Sequence, residues 1–355
     1  MSHEPRVPSF AVITGEQVAQ VLTGGEAQVV DLIEEAYRLH GQDSTVNPPS
    51  YFLRFPDRPT SRIIALPASL GGERPTDGLK WISSFPNNVA SGVPRASAVL
   101  ILNDHDTGYP FACLESSIIS ASRTAASAVL AAGRLSPGER PRRIGFIGTG
   151  LIARYIHHYF EATGWTFDEV AVHDLSDDHA QAFARYLTEG PGDARTVIGA
   201  TSEEVIRGSD LVVFATVAAT PHVHDPAWFT HNPLVLNVSL RDVAPEVVLA
   251  SANFVDDVEH CLKADTSVHL TEQRTGNRDF IDGTLHDVLD GRVEAPTDRP
   301  VIFSPFGLGV LDIALGRHVH DRLREAGRLG VVDGFFHELD RYGRTGGSPA
   351  HRRKD

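Results

Sequence analysis

Arg142 to Tyr159 reads RRIGFIGTGLIARYIHHY, and the reading of the whole chain starts there. Ile144, Phe146 and Ile147 make a short apolar run of β-formers, which predicts a buried strand. Gly148-Thr149-Gly150-Leu151-Ile152-Ala153 follows at once, and Ile156, Tyr159 and Phe160 recur at helical spacing. Strand, glycine turn and helix give a bare G-x-G-x-x-A pattern the context of a dinucleotide-binding loop. Gly148 serves the tight turn, Gly150 lets backbone N–H groups close on a pyrophosphate, and Ala153 allows close helix–strand packing. The helix N-terminus adds the partial positive charge that a diphosphate wants. The plain alternative is a turn with no ligand; both flanks favour the binding loop.

Downstream the chain keeps alternating. Strands are predicted at Glu169–His173, Val197–Ala200, Asp210–Thr216, Leu234–Val238 and Asn253–Asp256. Helices fall over Asp177–Leu187, Ser202–Arg207, a turn after Pro221, and Pro245–Ser251. This is the pattern of a Rossmann-type, doubly wound parallel sheet in an α/β protein, which binds ligands at the carboxyl ends of its strands. Asp174, with Ser176 beside it, ends the second strand; an acid there accepts from the adenosine ribose and repels a 2′-phosphate, favouring NAD over NADP. The competing role for Asp174 is a helix cap, which Ser176 could fill equally well. Thr149, Leu151 and Ile152 of the loop, Thr216 after the fourth strand, and Ser239 and Leu240 after the fifth are expected to line the cofactor. Asp242 is the carboxylate that follows such a strand end where the nicotinamide should lie, so it is the acid/base candidate. Residues 301–309, VIFSPFGLG, read as a strand running into a glycine turn, which places Phe306 and Gly307 against the same ring.

Before residue 130 the texture differs. Thr14 and Gln17 predict a capping box, and a second helix is predicted from Glu26 to His40. Residues 47 to 112 read as successive strands at Ser50–Phe55, Arg62–Pro67, Gly78–Phe85 and Ala96–Asn103, which implies an antiparallel sheet. Arg54, Lys80 and Arg95 stand out here. Lys80 is the only lysine before Lys263, although a strand lysine is as often a solvated side chain. Arg123 lies in an Ala- and Ser-rich helix, Ile118–Ala132, where a bulky cation needs a partner or a cavity. Pro137-Gly138 and Pro141 mark a linker. After residue 257, helices are predicted over Cys261–Ala264, Phe280–Leu289 and Val310–Glu325.

With 355 residues, 41% apolar and 22% charged, the chain is long enough for about two domains with ordinary cores. A net charge of −14 argues against a nucleic-acid partner. Cys113 and Cys261 give no disulfide framework, and the 17 histidines form no recognised metal motif, so no metal is expected. The absence of an apolar run of about 18 residues argues against a membrane span, and a cytoplasmic location is the expectation. The segment from Gly346 reads as a disordered tail.

Lys80 to Ala126 contains a lysine, an N…G element, TGYP and RTAA, and this run resembles the ornithine cyclodeaminase/μ-crystallin family. The similarity covers nearly the whole chain. SYFLRF, KWISSFP, PRASAVLILND, VSLRD, DDVEHCLKADTSVHL and FSPFGLGVLD extend it toward the members that cleave N-(2-amino-2-carboxyethyl)-L-glutamate in 2,3-diaminopropionate biosynthesis for siderophores or peptide antibiotics. The resemblance implies a homodimer whose substrate and dimerisation domain comes from residues 1–130 and 316–345, with an NAD-binding domain over 131–315. It implies that Lys80 and Arg123 bind the substrate carboxylate, with Arg123 also near the cofactor. It makes Asp242 catalytic alongside Lys80, and Arg54 a second substrate arginine. Arg95 stands where cyclodeaminases have threonine, and Ala244-Pro245-Glu246 where they have a glycine–lysine pair. Both argue against cyclisation of ornithine, because Arg54, Lys80, Arg95 and Arg123 suit a substrate with several carboxylates. A cyclodeaminase, ketimine reductase or alanine dehydrogenase is the rival enzyme; a non-catalytic binder like μ-crystallin is the rival of another class.

Overall fold

The computed structural model describes residues 9–136, 140–190 and 192–337. The linker at Pro137-Gly138 and the tail from Gly346 lie outside them. The chain opens with β1 (Ala11–Ile13), α1 (Gly15–Leu22), α2 (Glu26–Gly41), β2 (Thr45–Val46) and β3 (Tyr51–Phe55). The long β4 (Arg58–Leu70) follows, then β5 (Thr76–Ser84), β6 (Ala96–Asp104), β7 (Pro110–Glu115) and α3 (Ser117–Leu135). The alternating part runs β8 (Arg143–Ile147), α4 (Leu151–Ala162), β9 (Glu169–His173), α5 (Asp177–Glu189), β10 (Arg195–Ile198) and α6 (Ser202–Gly208). It continues through β11 (Leu211–Phe214), β12 (Leu234–Asn237), α7 (Pro245–Leu249), β13 (Ala252–Val255), α8 (Val258–Cys261) and α9 (Ser267–Thr275). Last come β14 (Ile281–Thr284), α10 (Leu285–Leu289), β15 (Val301–Ser304), α11 (Gly309–Glu325) and β16 (Gly330–Val331).

Two eight-stranded sheets result. The first runs β16-β1-β7-β6-β5-β4-β2, with β3 also paired to β4, and is antiparallel except where β1 meets β7. The second is wholly parallel, in the order β10-β9-β8-β11-β12-β15-β13-β14. Its first five strands have the order of a dinucleotide-binding sheet that reverses direction at β8. Its central strands β11, β12, β13 and β15 are buried throughout, as a sheet with helices on both faces requires. β15 inserts between β12 and β13, so the strand that comes last in sequence sits near the middle of the sheet.

The first sheet packs one face against α11, which leaves the second sheet directly after β15. The approach is close because two side chains are missing. A Cβ at Gly78 would stand 2.4 Å from Ile313 Cδ1, and one at Gly316 would stand 2.1 Å from Leu100 Cδ2. Helices α2, α3 and α4 pack on one another and join both sheets into a continuous apolar core. Thr14 and Gln17 do form the capping box of α1.

Two expectations need correction. Residues 281–284, read as helix, form the edge strand β14, because Ile281 to Thr284 pair with β13 and the helix starts only at the capping box of Thr284 and Asp287. The helical turn expected after Pro221 is present at Pro226–Phe229, reached after Val223 makes a parallel bridge to Val243. The helix placed over Cys261–Ala264 ends at Cys261, since Ala264 and Asp265 take left-handed backbone angles. No helix among the described residues is long and apolar enough to cross a membrane.

Candidate active site

At the end of β8 the chain turns through Gly148 with φ of +86°. A Cβ there would lie 2.7 Å from the carbonyl oxygen of Ala215, so only glycine fits. Gly150 is the N-cap of α4, makes no side-chain cap, and has open space where a Cβ would stand. The uncapped N–H groups of α4, with Leu151 and Ile152 in its first turn, therefore face an unobstructed approach that suits a pyrophosphate.

Asp174 follows β9. Its carboxylate accepts from Thr149 N and Thr149 Oγ1, both at 2.9 Å, and from Ser176 N at 3.0 Å. Burial pushes its pKa up, but these donors outweigh it and hold the group below the usual carboxylate range. Ser176 is the residue that caps α5, through His179 N. Asp174 is thus an ionised acid tied to the glycine loop, and the capping role falls to its neighbour. The residues present fit a dinucleotide without a 2′-phosphate.

Asp242 lies beyond β12 and is completely buried. Thr216 Oγ1 donates to its Oδ1 at 2.5 Å, the Ser239 hydroxyl donates to Oδ2, and His222 Nε2 stands 3.0 Å from Oδ1. Leu240, between Ser239 and Asp242, takes a φ of +74°, a left-handed conformation that costs a branched side chain energy. Its carbonyl accepts from Ser267 N at 2.7 Å, which holds the bend in place. The His222 side chain is 39% exposed, so it is the solvent-facing partner of the buried carboxylate.

Lys80 sits in mid-β5, 2% exposed, with Nζ 2.7 Å from Asp312 Oδ2 and 3.3 Å from Ser120 Oγ. Asp312 on α11 is fully buried, and its Oδ1 is 3.4 Å from Arg123 Nε on α3. Burial lowers the Lys80 pKa first, Arg123 lowers it further, and Asp312 opposes both, leaving it at about 8. One carboxylate thus serves two cations, leaving the triad with net positive charge. Arg123 also lies over the turn after β15: a Cβ at Gly307, whose φ is +92°, would stand 2.5 Å from Arg123 Nη1. That turn is fastened by Asp256, buried after β13, which accepts from Phe306 N at 2.9 Å and Gly307 N at 2.7 Å.

Arg54 and Arg95 border the same sheet. Arg95 Nη1 donates to Ser84 Oγ at 2.8 Å, and Ser84 shares the face of β5 with Lys80. The structure therefore joins Lys80 to Arg123, Arg123 to Gly307, and Thr216 to Ser239 and Asp242. Asp312, Asp256 and His222 were not singled out from the sequence. Asp312 and Asp256 lie in apolar runs where an acid signals a buried partner, and His222 belongs to no recognised histidine motif.

The sequence profile of the ornithine cyclodeaminase/mu-crystallin family matches residues 12–327. The chain belongs to that family. An N-((2S)-2-amino-2-carboxyethyl)-L-glutamate dehydrogenase of Staphylococcus aureus is 28% identical over 315 residues, covering 85% of this chain and 92% of that protein. Among solved structures, CmnK superposes with a TM-score of 0.82 at 29% identity, over 93% of this chain and 99% of that one. An archaeal alanine dehydrogenase dimer with bound NAD shares the fold, with a TM-score of 0.81 at 24% identity, over 92% and 100%. The family member from Staphylococcus and the archaeal enzyme are both dehydrogenases named for amino-acid substrates.

Proposed function

We propose that the protein uses NAD to cleave N-(2-amino-2-carboxyethyl)-L-glutamate oxidatively, releasing 2-oxoglutarate and L-2,3-diaminopropionate for siderophore or peptide-antibiotic biosynthesis. The observation that carries the reading is the cationic wall: Lys80 and Arg123 share one carboxylate, while Arg54 and Arg95 have no acid within ion-pair distance among the described residues. Such a wall suits a substrate with three carboxylates and disfavours one with a distal ammonium. The Staphylococcus relative supports the same choice.

NAD⁺, bound at the Gly148 loop, supplies a hydride acceptor for the carbon bearing the secondary amine. The remaining tasks fall to side chains. Lys80 Nζ and Arg123 hold the carboxylate on that carbon and so fix the direction of its C–H bond. Asp242 takes a proton from the water that adds to the substrate imine and returns it to nitrogen as the C–N bond breaks. His222 connects that proton to solvent, since Asp242 has no exposure of its own. Thr216 and Ser239 keep the carboxylate oriented.

The reading includes a homodimer. Tyr51, Ala65, Trp81 and Val99 are register partners across β3, β4, β5 and β6, and the three larger ones are 67%, 40% and 40% exposed. This is an apolar row on the sheet face away from α11.

Incubation with NAD⁺ and the synthetic conjugate should yield NADH and both products by mass. Asp242→Asn should keep NAD affinity and lose about 10²–10⁴ in kcat. His222→Asn should lower kcat with KM unchanged, and added imidazole should restore part of it. Turnover of ornithine or a cyclic imine in place of the conjugate would refute the substrate. Ligand and NAD binding with no turnover of any kind would favour a μ-crystallin-like binder.

A further inference from the structure

Two arginines outside the site described above complete a second anion-binding group. Arg54 and Arg62 are direct partners across β3 and β4, and Arg62 is the direct partner of Ser84 across β4 and β5. Directly opposed residues share a sheet face, so Arg62 points to the side that carries Lys80 and Ser84. Arg95 reaches that row through its 2.8 Å bond to Ser84 Oγ. The fourth member comes from the other sheet. Arg241, next to Asp242, is held by Ala264 O, which accepts from its Nε at 3.0 Å and its Nη2 at 2.7 Å.

Arg62 and Arg241 feel their arginine neighbours. Arg62 is made a weaker base by burial and then by Arg241, Arg95 and Arg54. Arg241 is affected by burial first, with Asp265 and Asp242 opposing and Arg54 adding to the effect. Among the described residues, no carboxylate comes within 4.0 Å of any of the four. Arg54 is exposed, but Arg62, Arg95 and Arg241 are half-buried, and half-buried arginines with no ion-paired acid are unfavourable unless a ligand supplies the charge. Ser84 lies four residues along β5 from Lys80, a separation of about 13 Å on an extended strand.

We propose that Arg62 and Arg241, with Arg54 and Arg95, form a subsite for the distal carboxylates of the substrate, spanning the two sheets. The assignment rests on the reading of Lys80 and Arg123 as the seat of the proximal carboxylate. A ligand with carboxylates at both ends then engages both groups and ties the first sheet to the β12 loop that bears Asp242. A monocarboxylate reaches only one.

Calorimetric titration of the NAD-saturated protein with glutarate, tricarballylate and acetate tests this. Glutarate and tricarballylate should bind the wild type at least tenfold more tightly than acetate. Arg62→Gln and Arg241→Gln should each weaken the polycarboxylates about tenfold, leaving acetate, NAD affinity and the thermal transition unchanged. Arg62→Lys, which keeps the charge but not the bidentate fork, should fall between. No preference for polycarboxylates in the wild type, or unchanged binding in both glutamine variants, overturns the subsite. Binding that depends on Arg62 and Arg241 without turnover of the conjugate supports the subsite and removes the reaction. Turnover with KM unmoved by either variant does the reverse.

Discussion

Asp312→Asn is the most informative single change. Among the described residues, Asp312 is the one acid paired with Lys80 and Arg123, at 2.7 Å and 3.4 Å, and all three are largely or fully buried. At 2.7 Å, with an effective dielectric constant near 20, the Lys80–Asp312 attraction is about 6 kcal/mol. A quarter of that moves a pKa by about one unit. Lys80 already titrates at about 8, so the amide should leave it mostly neutral at pH 7.5. Losing a charged hydrogen bond to the substrate carboxylate costs about 1.5–3 kcal/mol, or a KM higher by about 10- to 100-fold. The assay is kcat/KM against pH. In the wild type it should fall as pH rises through about 8; in the variant the falling limb should move at least one unit toward acid. An unmoved limb would refute the argument. Stability follows the same group with its own sign. The folded pKa of Lys80 lies below its ordinary 10.5, so from pH 8 to 10.5 the unfolded chain holds a proton that the folded one has released. Wild-type stability from this group therefore rises with pH across that window, recovering roughly 3 kcal/mol. Urea denaturation at pH 7.5 and 10 checks the direction.

Two further predictions concern the cofactor and the assembly. Asp174→Ala should weaken NAD binding and narrow the preference over NADP, read by titrating both cofactors; equal affinities for NAD and NADP in the wild type would remove the ribose role of Asp174. Trp81→Glu places a charge in the exposed row of Tyr51, Trp81 and Val99, and light scattering should then give a monomer where the wild type should give a dimer.

The sequence made the second sheet legible because parallel strands buried on both faces read as unbroken apolar runs, and because Gly148 and Asp174 follow such runs at once. The middle strands of the first sheet were legible for another reason: they follow one another with only turns between them, as antiparallel strands do. β1, β2, β7 and β16 escaped: β1 has only three residues and β2 and β16 two each, and β7 is distinguished only by its pairing with β6 and β1. The site divides similarly. Lys80, Arg123 and Asp242 stand out as charges in apolar or special contexts. Arg62 reads as one more strand arginine, and only the register across β3, β4 and β5 gives it a role. Asp312 lies 232 residues from Lys80, and no local pattern encodes that pairing. Arg241 was quoted within a motif, but its guanidinium is aimed by Ala264, whose left-handed backbone has no local signature.

The close seating of α11 on the first sheet sets a mechanical tolerance. Gly78 and Gly316 let helix and sheet touch, and Asp312 rides on that helix one turn before Gly316. If the gap widened by about 1 Å, the Lys80–Asp312 attraction would weaken by about 1.7 kcal/mol, somewhat more than one pKa unit. A single methyl group at Gly316, which meets Leu100, would therefore change the pH at which Lys80 gives up its proton. The proton affinity of Lys80 is, in part, a dimension of the core.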